Sequence, residues 1–209
     1  SEQSVVCDQS IASEVLAEFQ KRGAYIPNAE ETVKLEKLVL RGKRQNADIV
    51  GQFPKNIAKM AGFEVPHNTT VILCPYSGVG FDYPLSIEKL SPILSFYTVN
   101  GEEHAFEQCK ELLRFGGMGH SSCIHAKDQR IIERFGLAMP TIRIMVNSPT
   151  TQGAIGHTTN MTPSMTLARG TPAGNAYSDN IGPQHIINRT RLCSLNEAQP
   201  DEIERLDLH

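Results

Sequence analysis

The chain alternates short apolar runs with amphipathic stretches of helical period. Residues 3–7 read as an opening strand. Ile11, Val15, Leu16 and Phe19 then fall on one face of a helix, with Asp8 as its candidate N-cap and Gly23 as its stop. Asn28, followed three residues later by Glu31, gives a capping-box start to a second helix carrying Val33, Leu38 and Val39. A third, shorter helix begins at Pro54, carries Ile57, Ala58 and Ala61, and stops at Gly62. Residues 70–74 and 93–99 read as buried strands. Residues 102–115 form a helix with Ala105, Phe106, Cys109, Leu112 and Leu113 inward. Beyond a strand-like 121–125, Asp128 caps a helix to about Ala138, and Ile142, Ile144 and Val146 alternate with Arg143 and Met145 as a further strand. Strands alternating with helices predict an α/β fold with a largely parallel sheet flanked by helices.

From Ser148 the texture changes to Gly, Thr, Pro and Asn. So long a turn-rich stretch in a compact domain predicts a functional surface rather than a linker. A last strand is expected at about residues 185–191, before an acidic, frayed tail. Composition narrows the class. With 209 residues, 40% of them hydrophobic, the chain can bury a core as one compact domain. The formal charge of −3 and the lack of a basic run argue against nucleic acid or an anionic membrane as partner. The longest apolar runs are strand-sized, far below the roughly 20 residues of a membrane-spanning helix. Five cysteines, an odd number scattered singly, predict reduced thiols in the cytoplasm. The absence of an initiator Met or signal peptide reads as part of a longer protein.

Six collinear blocks carry a further signal: Ser1-Glu-Gln-Ser-Val-Val6, Asn46-Ala-Asp-Ile-Val-Gly51, Glu88-Lys-Leu-Ser-Pro92, Gly116-Gly-Met-Gly-His-Ser-Ser-Cys123, Thr150-Thr-Gln-Gly-Ala-Ile-Gly156 and Asp179-Asn-Ile-Gly-Pro-Gln-His185. In order and spacing they resemble the CoA-acylating aldehyde dehydrogenases, especially the aldehyde dehydrogenase half of bifunctional aldehyde-alcohol dehydrogenases. The resemblance implies a catalytic domain over residues 1–180, a C-terminal oligomerisation strand over 181–195 and a flexible tail over 196–209, in a homo-oligomer. It also implies a chemistry. A cysteine thiolate attacks the aldehyde, hydride passes to NAD, and coenzyme A takes the acyl group from the thioester. The family's catalytic cysteine would stand two residues before Ser1, and none of the five cysteines present occupies that place. No glycine-rich dinucleotide fingerprint occurs either, so the cofactor domain is expected upstream and the isolated chain is expected inactive.

Three residues inherit roles from the resemblance. Glu88, in Glu-x-Leu-Ser-Pro, is expected to accept hydrogen bonds from the nicotinamide ribose, against the plainer reading of a surface carboxylate before a proline. His120, after Gly-Gly-Met-Gly, is expected to work in catalysis, in proton transfer with CoA or in orienting the cofactor. Arg169 stands where the bifunctional relatives carry a cysteine, in a loop that lines the substrate entrance in the wider superfamily. A guanidinium there suits an anionic aldehyde such as sulfoacetaldehyde or succinic semialdehyde, although it could equally face solvent or a CoA phosphate. The triplet His120, Cys123 and His125 does not make a metal site, because no second ligand pair occurs at useful spacing. Cys7 and Cys74 end strand-like runs and read as small core residues. A rival reading remains, a non-catalytic oligomerising domain of the same fold.

Overall fold

The structure is a computed structural model that describes residues 2–194. The first half follows the predicted rhythm: β1 (Ser4–Asp8), α1 (Ala12–Lys21), β2 (Ala24–Tyr25), α2 (Ala29–Val39), the small hairpin β3 (Leu40–Arg41) and β4 (Arg44–Gln45), and α3 (Pro54–Ala61). It continues through β5 (Val71–Pro75), β6 (Ile93–Val99) and α4 (Gly101–Gly116). The second half adds β7 (Ser122–Ile124), α5 (Gln129–Ala138), β8 (Ile144–Val146) and α6 (Thr150–Ala154). The main sheet runs in the order β1-β6-β5-β2 and is wholly parallel; β7 and β8 form a separate parallel pair.

The two inner strands are buried on both faces, which is why they read as continuous apolar runs rather than alternations. On β5, Ile72 and Cys74 pack with Leu35, Val39, Ile57 and Ala58 of α2 and α3, while Leu73 points the other way toward Phe96 and Cys7. Val15, Leu16 and Phe19 of α1 cover that second face. A third cluster joins Phe106 of α4 to Phe135 and Met139 around α5, with Ile124 and Ile144 of the small sheet packed against it. This places the β7–β8 unit against the far side of α4.

Local signals account for most boundaries. The Asn28 side chain accepts from the Glu31 N–H, and the Glu31 carboxylate accepts from the Asn28 N–H, closing the box. Pro54 opens α3, and Gly62, at φ 83°, ends it in the left-handed region that glycine favours. The Asp128 carboxylate caps α5 through the Arg130 N–H. Four expectations need correction. Asp8 does not cap α1, whose N-cap Ile11 has no side-chain cap bond. Its carboxylate accepts instead from Ser10 and from the Gly101 N–H, so it fastens the start of α4. Ile11 and Val33 lie on exposed helix faces; Leu35 takes the core position expected of Val33. Around β8 the burial is carried by Met145 and by Arg143 just before the strand, while Val146 is exposed. Residues 185–191 form no strand in this chain: a 3-10 turn spans Pro183–His185 and the backbone through 194 pairs with no strand among the described residues, as a segment lacking a ladder partner must. The expected tail lies outside the described residues.

Asn28→Ala should cost about 1 kcal/mol of stability by removing one half of the capping box. The loss should fall at the low end of capping effects, because Glu31 keeps its bond from the Tyr25 hydroxyl. A urea midpoint equal to wild type would show that α2 is held by packing alone.

Candidate active site

The site is built where α4 ends. Gly117, its C-cap, has φ 143°, and Gly119 has φ 85°. A Cβ on Gly119 would stand 2.1 Å from the Arg169 carbonyl oxygen, so only glycine lets these two backbones meet. The Gly119 N–H donates to Pro140 O at 2.9 Å and its carbonyl accepts from Ile142, which extends the β7–β8 pairing by one bridge at Thr141. His120 therefore enters the small sheet from a fixed direction.

The three residues singled out from sequence converge on this glycine loop. Glu88 sits just before β6, and its backbone N–H borders Gly116 on one side of the loop. Its side chain is exposed and makes no hydrogen bond or ion pair among the described residues. On the other side, Arg169 Nη2 donates to Met118 O at 3.1 Å, and its backbone N–H donates to Asn175 Oδ1. His120 lies within electrostatic reach of both. Burial pulls its pKa below the ordinary imidazole value, Arg143 and Arg169 push the same way, and Glu88 opposes them. The imidazole is thus biased toward its neutral form, with Nδ1 2.9 Å from Ser121 Oγ, and can accept a proton near pH 7.

Beneath these groups lies an arginine that is 2% exposed. Arg143 donates through Nε to Asn180 Oδ1 at 2.8 Å, through Nη1 to Ala168 O at 2.7 Å and His120 O at 3.3 Å, and through Nη2 to Asp179 O at 3.0 Å. Sequence reading missed it, since an Arg in an apolar alternation reads as the solvent face. The available signal was its shared parity with Met145, next to a turn-rich stretch whose carbonyls have no ladder to satisfy them. Lys89 was missed in the same way and is wholly buried.

Four of the thiols are held protonated. Burial pushes Cys74 up to about 12 and Cys109 up to about 11, and raises Cys7 and Cys123 as well. Cys123 Sγ rests 3.0 Å from Ser148 O and 3.3 Å from His125 Nε2. Among the described residues no group of three or more His, Cys, Asp or Glu side chains is placed to hold a metal ion, and no helix is long and apolar enough to cross a membrane.

No protein-family model matches the chain. Known proteins do. The chain is 40% identical over 193 residues to an aldehyde-alcohol dehydrogenase of Clostridium acetobutylicum, covering 90% of this chain and 22% of that protein. It is 32% identical over 210 residues to an acylating sulfoacetaldehyde dehydrogenase of Cupriavidus necator, covering 99% of this chain and 43% of the relative. The crystal structure of an acetylating aldehyde dehydrogenase from Geobacillus thermoglucosidasius superposes with a TM-score of 0.87 at 42% identity, over 94% of this chain and 45% of the other. The chain belongs to the acylating aldehyde dehydrogenases. It spans less than half the length of these relatives. The aldehyde dehydrogenase fold explains why blocks so distant in sequence meet: the Glu88 turn, the glycine loop of 116–119 and the 167–175 loop all border the end of α4.

Arg143→Met should destabilise the protein by roughly 3 kcal/mol, because several buried acceptors lose a charged donor together. Arg143→Lys should recover only part of it, an ammonium lacking the fork geometry. Equal urea midpoints for Arg143→Met and wild type would mean that water replaces the guanidinium without cost.

Proposed function

We propose that the protein carrying this chain is an NAD-dependent, CoA-acylating aldehyde dehydrogenase of the cytoplasm, interconverting an aldehyde and its acyl-CoA through a cysteine thioester. The observation that carries this reading is the convergence of Glu88, His120 and Arg169 on one glycine loop, in a chain of this family. The attacking thiolate comes from a cysteine upstream of Ser1. The four thiols held up in pKa by burial favour that reading over any nucleophile among them.

The residues present fit a dinucleotide. Glu88 offers an exposed carboxylate with no hydrogen bond among the described residues, beside the start of the glycine loop, which is what accepting two ribose hydroxyls requires. The dinucleotide, when bound, supplies the hydride acceptor. His120, biased toward neutrality, takes the proton of the incoming CoA thiol so that sulfur can attack the acyl group as thiolate. Arg169 uses one nitrogen on Met118 O and keeps the rest of its fork for an anionic group of the aldehyde. In this reading the chain is part of a homo-oligomer, and a neighbouring subunit would give the exposed Ile186 and Ile187 a partner.

In the intact enzyme Glu88→Gln should raise KM for NAD by roughly 10- to 100-fold, the loss of charge-assisted acceptance being about 1.5–3 kcal/mol. His120→Ala should instead lower turnover in acyl transfer with little change in NAD binding. The wild-type rate should fall with decreasing pH as His120 protonates, through a pKa below that of free imidazole. Unchanged NAD kinetics in the first variant would remove Glu88 from the cofactor site. Full acyl-transfer rate in the second would make His120 structural.

Arg169→Cys restores the residue of the bifunctional relatives. It should lower kcat/KM for sulfoacetaldehyde or succinic semialdehyde by roughly 10- to 100-fold, about 1.4–2.7 kcal/mol, and leave acetaldehyde nearly unaffected. An equal fall for charged and neutral aldehydes, or none for either, would show that Arg169 does not select substrate charge.

A further inference from the structure

Glu88 and Leu90 are exposed, yet Lys89 between them is wholly buried. An inward lysine in a three-residue stretch requires the chain to reverse sharply, and the backbone does so: Leu90 has φ 48°, a left-handed conformation that side-chain-bearing residues rarely adopt. The turn is held from several directions. Gln3 Oε1 accepts from the N–H groups of Lys89 at 2.7 Å and Leu90 at 3.3 Å, Gln45 Nε2 donates to Lys89 O, and Gly51 N–H donates to Leu90 O. From inside, the Lys89 ammonium donates to Leu85 O at 2.6 Å and Ile87 O at 3.0 Å and reaches Ser95 Oγ on β6 at 3.5 Å. Ser95 Oγ itself donates to Leu85 O.

Among the described residues no carboxylate makes an ion pair with this ammonium, an arrangement that burial makes costly. Burial pulls its pKa down to about 7, opposed by Cys74 on β5 and by Glu88 beside it. Its partners are almost entirely the carbonyls of the turn that presents Glu88, before a β6 strand secured by the parallel ladders to β1 and β5. A lysine there does little for the sheet and fixes one loop.

We propose that Lys89 is a positioning residue for the dinucleotide site, its buried ammonium drawing the 85–87 carbonyls inward so that the Glu88 carboxylate faces the glycine loop. This rests on the reading of Glu88 as the ribose ligand. Lys89 touches no substrate; it acts through Glu88.

The test uses the intact enzyme with K89M, which keeps the length and removes the donors, together with E88Q, the K89M/E88Q double variant and S95A. K89M should raise KM for NAD at least fivefold while kcat at saturating NAD stays within twofold. Because Lys89 acts through Glu88, the double variant should show no larger KM than E88Q alone. Backbone amides of 85–90 should exchange at least tenfold faster in K89M, with β6 still protected. Independent multiplication of the two KM effects, or unchanged amide exchange in K89M, overturns the proposal. If E88Q leaves KM unchanged while K89M still frees the 85–90 amides, the ribose reading fails and the positioning of the turn stands. Should K89M not fold, S95A, which removes a single partner, should free the same amides about threefold; unaltered exchange there overturns the proposal as well.

Discussion

A single buried guanidinium holds the second half of this chain together. The described residues beyond 148 contain one five-residue helix, one isolated bridge and two 3-10 turns, so their backbone groups cannot be satisfied by regular ladders. Arg143 supplies what the ladders do not. Its fork reaches Ala168, Asp179, Asn180 and the carbonyl of His120, and Asn180 relays the connection by donating to Ala154 O and Thr162 O. Five N–H groups in one rigid plane suit this task, where an ammonium would offer three and no plane. The same side chain therefore ends the search for acceptors in the loop region and sets the backbone of the histidine above it.

The site is thus supported from two sides by two different buried cations. Arg143 works from the small β7–β8 sheet, and Lys89 works from the main sheet through the turn before β6. Between them runs the glycine loop, whose backbone comes close enough to Arg169 that no side chain fits at 119. Neither cation makes an ion pair with a carboxylate among the described residues; each is neutralised by carbonyl dipoles. That choice fixes backbone rather than side chains, which suits a surface whose shape must be set before any ligand arrives.

Most of the fold was legible because its signals are local. The Asn28–Glu31 box, Pro54 with Gly62, and the Asp128 cap act within a few residues and need no knowledge of the rest of the chain. Glu88 and His120 were singled out for another reason, each standing in a block that resembles a known family, and Arg169 because it departs from the pattern of that family. What stayed hidden was polarity turned inward. Arg143 sits in an apolar alternation with a phase that hydropathy alone assigns to solvent, and Lys89 lies between two exposed neighbours with no period to mark it. Asp8 misled in the opposite sense. It has the right chemistry and position to cap α1, but Ser10 and the start of α4, 93 residues away, compete for its carboxylate and win. The C-terminal strand was misplaced for this chain because strand pattern specifies a side-chain face, whereas a strand also needs a partner edge.

The charges around His120 decide what the pocket favours before any substrate enters. Two guanidinium groups and one carboxylate act on the imidazole, and burial adds to the guanidinium side, so the ring is held toward its uncharged form. In the proposed function a ligand entering between Glu88 and Arg169 would meet the Arg169 guanidinium at its rim, with the Arg143 guanidinium buried beneath. In a partly dehydrated site such a cationic pair raises the affinity for anions, whether the phosphates of a nucleotide or a charged aldehyde tail. It does so most strongly near Arg169, which is tethered by one bond at Met118 and otherwise unspent. A neutral base and a cationic rim are compatible because the guanidinium that tunes His120 most, Arg143, spends its own hydrogen bonds inward. In the proposed function the proton acceptor is tuned mainly by burial and by Arg143, and a change at position 169 would remove only a smaller influence on it.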